Sequence, residues 1–305
     1  MRTIYLHIGY HKTATTFLQH VVFPELENVS YIEKKPRVKK RYNKVKKRKL
    51  SGKEVDEFRG MVNRNDTGDP ILISHEGFCG TPLFFGNGQS QFEILEDLRR
   101  ILPASEYDVH IIVGIREQVS LLTSLYVEHV KMGGTLKSHE YIKKLKKRKM
   151  LKDYNFYRYL QEIEKLFGRD RIYVMSYEDY KQNSSEELLK LLNLMGEPEV
   201  PSYNDKVQFR NKSLGKRQVS IARRLNHLFK TQKHPQGILP IVKVPILGEL
   251  STRNLLQNKF NFSRQQRYQF PKKLQSSLRQ RYEEGNHNLA NVYNLDLPQK
   301  FFVQS

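Results

Sequence analysis

The amino-acid sequence predicts an α/β fold, a P-loop-like three-layer sandwich in which a central parallel sheet is flanked by helices. Three observations carry that reading. Short apolar-rich runs at 4–8, 70–74, 109–114 and 171–175 alternate with longer stretches whose apolar residues recur at helical spacing. Runs this short and this apolar suit strands covered on both faces. The polar clusters at 9–16, 74–76 and 114–124 each follow a strand, at the end where open parallel sheets bind ligands.

In chain order, Ile4, Tyr5, Leu6 and Ile8 form the first strand and Gly9 ends it. Tyr10-His11-Lys12-Thr13-Ala14-Thr15-Thr16 then turns the chain into a helix that begins near Thr15 and runs through Phe17, Leu18 and His20. Strand, tight turn and helix N-terminus in that order make an anion site, because the first helical N–H groups have no helical partner and the helix dipole is positive there. Lys12 adds a full charge, and Thr13, Thr15 and Thr16 add hydroxyl donors. A short strand at 29–32 precedes a basic run, read as a mobile insertion for want of apolar anchors, and a helix at 53–64. The strand at 70–74 delivers His75 and Glu76 at its C-terminal end. Phe92, Leu95, Leu98 and Ile101 mark a helix at 90–101, which Pro103 stops. The strand at 109–114 leads through Gly114, Ile115 and Arg116 into a helix at 117–131. A helical stretch with a second basic run, a helix at 154–167, the strand at 171–175 and a helix at 184–195 follow. The remainder reads as mostly helical from about 205, broken by a Pro/Gly-rich loop at 235–248. Residues 1–305 read as one domain with a basic insertion at about 34–53.

Composition narrows the function. A single cysteine, Cys79, allows no intrachain disulfide. The histidines are scattered without ligand spacing, so no metal site is expected. No apolar run approaches the roughly 20 residues of a membrane span, and the first strand leaves no room ahead of it for a signal peptide; a cytoplasmic, bacterial-style protein is the expectation. The formal net charge is +21, concentrated in 34–53 (KKPRVKKRYNKVKKRKLSGK) and 143–149 (KKLKKRK). Two runs nearly free of acids should attract an anionic partner: a nucleotide, an acidic glycan, an anionic lipid surface or nucleic acid.

The 9–16 stretch lacks the second glycine of the nucleotide-triphosphate loop, and its lysine stands three residues after Gly9. It resembles instead the 5′-phosphosulfate loop of the PAPS-dependent sulfotransferases, K-[TS]-G-T-T after a strand, with Ala14 where that family usually has glycine. Alanine there costs roughly 1 kcal/mol if φ is positive and nothing if the residue is already helical, and the departure is read as minor. Arg116 with Ser124, eight residues on, resembles the family's 3′-phosphate site; an arginine suits a bidentate pair with phosphate. Tyr177-Glu178-Asp179 after the last strand resembles a further family segment, with Tyr177 beside the adenine, and Arg210-Asn211-Lys212-Ser213 resembles one whose Asn211 and Ser213 close over the nucleotide. Asn286-His287-Asn288 resembles the closing helix of bacterial glycan sulfotransferases.

The resemblance implies transfer of a sulfuryl group from PAPS to a hydroxyl or amine of a carbohydrate or glycolipid acceptor, anionic where the basic runs meet it, without a metal and with adenosine 3′,5′-bisphosphate as product. Lys12 would neutralise charge on the bridging oxygen; His11, Lys12, Thr13, Ala14, Thr15 and Thr16 would surround the 5′-phosphate. An alcohol acceptor needs a general base. The resemblance favours Glu76, and His75 is the alternative because its ordinary pKa suits neutral pH. Two competing classes stand beside this one: a P-loop kinase, which lacks its glycine and a clear metal-binding aspartate, and a basic nucleic-acid-binding protein, which leaves both phosphate clusters unexplained. Peripheral contact with an anionic membrane through the basic runs is a further expectation; nucleic acid is disfavoured.

Overall fold

The computed structural model describes residues 1–64, 70–80, 88–197, 199, 214–231, 233–238, 242–244, 248–250 and 266–303. They divide into two compact units, the first of Met1–Glu117, Lys152–Phe209 and Tyr282–Ser305, the second of Gln118–Leu151 and Arg210–Arg281.

The first unit is built on a five-stranded, wholly parallel sheet: β1 (Arg2–His7), β2 (Ser30–Tyr31), β3 (Ile71–Ser74), β4 (Tyr107–Ile115) and β5 (Ile172–Ser176), in the order β2-β3-β1-β4-β5. β1 lies between β3 and β4. The chain leaves β1 toward one edge and leaves β4 toward the other, so the strand order reverses between β1 and β4, the place where such sheets hold ligands. Alternation of side chains divides the core. Tyr5, Leu72, Ile112 and Met175 face a layer containing Leu18, Val22, Phe23, Leu188, Leu191 and Leu192. Their neighbours Ile4, Leu6, Ile73, Ile111 and Val113 are fully buried on the other side, where α7 (Phe156–Phe167) packs on β4 and β5, and α4 (Gln91–Ile101) packs on α7. Burial on both faces explains why these strands read as continuous apolar runs.

Local signals set the helix boundaries. Ser51 with Glu54 and Ser90 with Glu93 form capping boxes that start α3 (Gly52–Asn63) and α4. Asn155 caps α7, Ser176 caps α8 (Tyr177–Gln182) and Asn183 caps α9 (Ser184–Leu194). The helix after β1 is short and irregular: α1 (Thr15–Phe17) widens into a π-helical turn at Leu18–Val22 and closes as a 3₁₀ turn at Phe23–Glu25.

The second unit holds α5 (Gln118–Lys131), α6 (Ser138–Lys147), α10 (Lys216–Leu225) and an antiparallel hairpin of β6 (Val242–Val244) and β7 (Gly248–Leu250). The hairpin falls where the sequence predicts only a loop; the alternating Val242-Lys243-Val244 was too short to signal it. α11 (Lys272–Tyr293) begins in the second unit and ends in the first. No helix among the described residues is long and apolar enough to cross a membrane.

The basic run departs most from expectation. It is not a mobile insertion: residues Pro36–Val45 form α2. Two apolar residues suffice as anchors because they share a helical face. Val45 is fully buried, and Tyr42 stacks on His75 at 5.3 Å and meets Phe58 and Phe78. The Tyr42 hydroxyl is buried with no hydrogen-bond partner among the described residues. The anchor is therefore the ring and not the hydroxyl. Tyr42→Ala is expected to destabilise the protein by about 3 kcal/mol, and Tyr42→Phe to leave stability unchanged or slightly raised, in urea unfolding.

Candidate active site

The site grows from the end of β1. Its pairing with β4 outlasts the strand: Ile8 N–H donates to the Ile112 carbonyl at 2.9 Å and Tyr10 N–H to the Gly114 carbonyl at 3.1 Å. Tyr10 is buried, with its hydroxyl 3.0 Å from Gln91 Oε1 and 2.8 Å from the Asp153 carbonyl. Both ends of its side chain thus hold the loop's first residue. The Thr13 hydroxyl donates back to the Tyr10 carbonyl at 2.5 Å and is fully buried. It shapes the turn, while the hydroxyl of Thr15 is buried without a partner among the described residues and Thr16 is exposed.

Two glycines make this packing possible. A Cβ on Gly114 would fall 2.8 Å from Thr13 Oγ1, and one on Gly9 would fall 2.9 to 3.2 Å from His7 Nε2, Thr13 Oγ1 and Thr15 Oγ1. Polar atoms thus converge on a space that only glycine leaves open. Helical bonding begins at Phe17, whose N–H donates to the Ala14 carbonyl, which leaves the preceding amides facing outward from the helix start. Donors and an orphaned buried hydroxyl at this place fit an oxyanion such as a phosphate.

Lys12 and Ala14 both adopt left-handed backbone, at φ 70° and 64°. The glycine position of the resembled loop is therefore a positive-φ position here, and the alanine carries the strain rather than escaping it. Arg116 braces this turn: its Nη1 donates to the Lys12 carbonyl at 3.0 Å, and its guanidinium lies 4.4 Å from the centre of the Tyr177 ring. The structure thereby brings Lys12, Arg116 and Tyr177 together. The Glu178 carboxylate, nearly fully buried, accepts from Glu117 N–H at 3.2 Å and pairs with Lys300 at 3.1 Å, so it locks the Arg116 turn to the start of α8. Ser124 is half-buried on α5 in the second unit. Asn211 and Ser213 lie outside the described residues.

Beside the loop, at the end of β3, stands Glu76. Its carboxylate pairs with Lys34 Nζ at 2.9 and 3.1 Å, and Gln19 Nε2 donates to it at 3.4 Å. Burial by itself would raise the Glu76 pKa, but the adjoining His75 and Lys34 outweigh it and hold the carboxyl well below its usual range. His75 turns the other way, into the aromatic pocket of Tyr42 and Phe78, with Nδ1 3.5 Å from Glu76 Oε2. Burial pushes its pKa down to about 4, so it is neutral at pH 7. His11 is half-buried, with Nε2 3.4 Å from the Gly80 carbonyl, and desolvation lowers its pKa too.

A buried polar chain joins the two halves of the site, and its members were not predicted. Gln19 Nε2 donates to the Ser74 carbonyl at 3.2 Å and to Ser74 Oγ at 2.9 Å; Ser74 Oγ lies 2.7 Å from His7 Nδ1. The available signal was a polar residue inside an apolar run, His7 within β1 and Gln19 within 17–22. Lys34 gave no comparable signal, and Glu178 was named only as part of the Tyr177-Glu178-Asp179 segment.

A strand-loop-helix turn with outward amides and an orphaned hydroxyl, an arginine stacked on an aromatic ring and a carboxylate beside them at the strand-order reversal make a site with the chemistry of group transfer. The sulfotransferase domain family matches residues 4–222, and the chain belongs to that family: it is a sulfotransferase. Among solved structures, the sulfotransferase of Alicyclobacillus acidocaldarius superposes with a TM-score of 0.54 at 12% identity, over 97% of this chain and 98% of that one, and shares the fold. The sulfotransferase domain from the curacin biosynthetic pathway aligns over 98% of this chain and 99% of its own at 13% identity, with a TM-score of 0.42. No curated protein sequence matches.

Two tests follow from the strained loop and the buried histidines. Ala14→Gly is expected to stabilise the protein by about 0.5–1 kcal/mol in urea unfolding, the relief of left-handed strain exceeding the added freedom of the unfolded chain. Burial also lowers the pKa of His7 to about 4. Groups depressed from about 6.5 to about 4 on folding contribute stability that is full above pH 6.5 and lost as the pH falls toward 4. The urea midpoint should fall through that window, and His75→Phe should flatten the fall.

Proposed function

We propose that this sulfotransferase moves the sulfuryl group of PAPS to a hydroxyl of a carbohydrate acceptor, with Glu76 as the general base. The observation that supports it above others is the convergence of the Lys12 loop, Arg116 on Tyr177, and the Glu76 carboxylate at the ends of β1, β4 and β3. When bound, PAPS supplies the sulfur: the acceptor oxygen forms the new S–O bond as the bond to the bridging phosphate oxygen breaks, its electron pair remaining on the phosphate.

The chain's own residues do the rest. Amides at the start of α1 and the hydroxyls of Thr15 and Thr16 bind the 5′-phosphate, and Lys12 offsets the charge that develops there. Arg116, held flat by Tyr177, offers its fork to the 3′-phosphate. His11 borders the loop. Glu76 takes the acceptor's proton. It is favoured over His75 because its carboxylate is about a third exposed, whereas both ring nitrogens of His75 are buried. Positioning and charge stabilisation supply most of the catalysis, as in loose in-line group transfer.

Calorimetric titration tests the donor. Adenosine 3′,5′-bisphosphate should bind more tightly than ADP, and Arg116→Ala should remove that preference, a loss of roughly 10- to 100-fold for a charge-assisted pair. Glu76→Gln should keep bisphosphate affinity and lose transfer by at least about 100-fold. Equal binding of ADP and the bisphosphate to the wild-type protein overturns the reading.

A further inference from the structure

A base paired to a lysine is a weak base, because the charge that stabilises the carboxylate resists its protonation. Glu76 is in that position, and its counter-ion comes from the longer of the two basic runs. Residues 34–49 hold eleven lysines and arginines and no acid. Lys34, at the head of this segment, makes the pair at the mouth of the site, where its side chain is 17% exposed and that of Glu76 30%. Lys46, at the other end of α2, is half-buried and also within electrostatic reach of Glu76. The remaining groups that face Glu76 are His7 from β1, His11 from the loop, Tyr31 from β2, and its neighbours His75 and Cys79. Burial keeps His7 and His75 neutral at pH 7 and Tyr31 and Cys79 protonated. The cation paired directly with Glu76 at the mouth is therefore Lys34.

The outer side of the segment continues the charge. Arg37, Lys39, Lys40, Lys47 and Lys49 are exposed and form no ion pair among the described residues. α2 spans about 15 Å, so a polymer lying along it would meet a line of cations that ends at Glu76. A membrane surface fits less well. The apolar residues of α2 are turned into the protein, Tyr42 and Val45 fully so, and an interfacial helix needs its apolar face for the lipid.

We propose that the acceptor is an anionic sugar chain whose acidic groups draw Lys34 away from Glu76, so that the correct acceptor itself releases the base. The inference rests on Glu76 being the base. A neutral chain would leave the Lys34–Glu76 pair closed and would be a poor acceptor even where it fits.

The test uses the full chain with PAPS and three probes: unsulfated chondroitin and alginate, both uronate chains, and dextran, which is neutral. Wild-type protein should bind the uronate chains in the presence of bisphosphate and sulfate at least one of them ten times faster than dextran. Lys34→Gln should weaken uronate binding about fivefold and narrow the rate ratio, chiefly by raising transfer to dextran. With a uronate chain, the acidic limb of kcat should lie at least one pH unit above that of kcat/KM in wild type, because the bound acceptor has taken Lys34; in Lys34→Gln the two limbs should coincide. Unchanged bisphosphate affinity reports that each variant is folded. Equal rates on dextran, a ratio unmoved by Lys34→Gln, or failure to bind or sulfate either uronate chain overturns the proposal. So does tighter binding to duplex DNA or to phosphatidylserine vesicles that Lys34→Gln leaves untouched. If the bisphosphate itself does not bind, or Glu76→Gln transfers at the wild-type rate, the underlying reading fails instead.

Discussion

The pairing of β1 with β4 continues beyond β1 itself, and the site depends on that continuation. Two backbone hydrogen bonds, from Ile8 to Ile112 and from Tyr10 to Gly114, carry the register into the loop. Gly9 and Gly114 then face one another closely enough that a Cβ on Gly114 would lie 3.5 Å from the Gly9 backbone and closer still to Thr13. This close approach lets Thr13 pack beneath the turn and bond the Tyr10 carbonyl. The turn in turn sets the direction of α1 and the position of Lys12. The strain at Lys12 and Ala14 persists because neighbouring structure over-determines it: β4 on one side, and the Arg116 bond to the Lys12 carbonyl on the other.

Charge is distributed by burial. Among the described residues of the first unit, burial keeps His7 and His75 neutral at pH 7, and two buried or half-buried carboxylates are each met by a cation and a hydrogen-bond donor. Glu178 is held by Lys300 and the Glu117 amide; Glu76 is held by Lys34 and Gln19. Glu178 lies almost wholly inside and serves to fix the Arg116 turn. Glu76 is at the mouth, where its counter-ion can be exchanged. Similar pairing thus holds one carboxylate deep inside and the other at the surface, and depth sets how far each is open to solvent. The widened π turn after α1 belongs to the same design: Gln19 sits within it and reaches Ser74 and Glu76, joining the loop after β1 to the end of β3.

Much of this was legible before the coordinates. The parallel sheet followed from apolar runs buried on both faces, and α3, α4 and α7 were legible as helices at 53–64, 90–101 and 154–167, since both signals are local. The turn at 9–16 was visible because strand, turn and helix start are consecutive in sequence. Arg116 and Tyr177 were named separately, each by its place after a strand; their stacking is a product of β4 and β5 being neighbours. α2 was misread because two anchors among eleven cations carry little weight in composition, although on one helical face they are enough.

By itself, then, the sequence determined the strands, the longer helices, the turn after β1 and the excess of positive charge, all of which arise from residues close together in the chain. Only the tertiary structure decided that Ala14 is left-handed, that His75 turns into an aromatic pocket while Glu76 faces out, and that Lys34 is the partner of Glu76. Each of these depends on groups tens of residues apart meeting at the strand ends. Periodicity and spacing report on local conformation and burial; they hold no term for which distant charge will come to rest beside another.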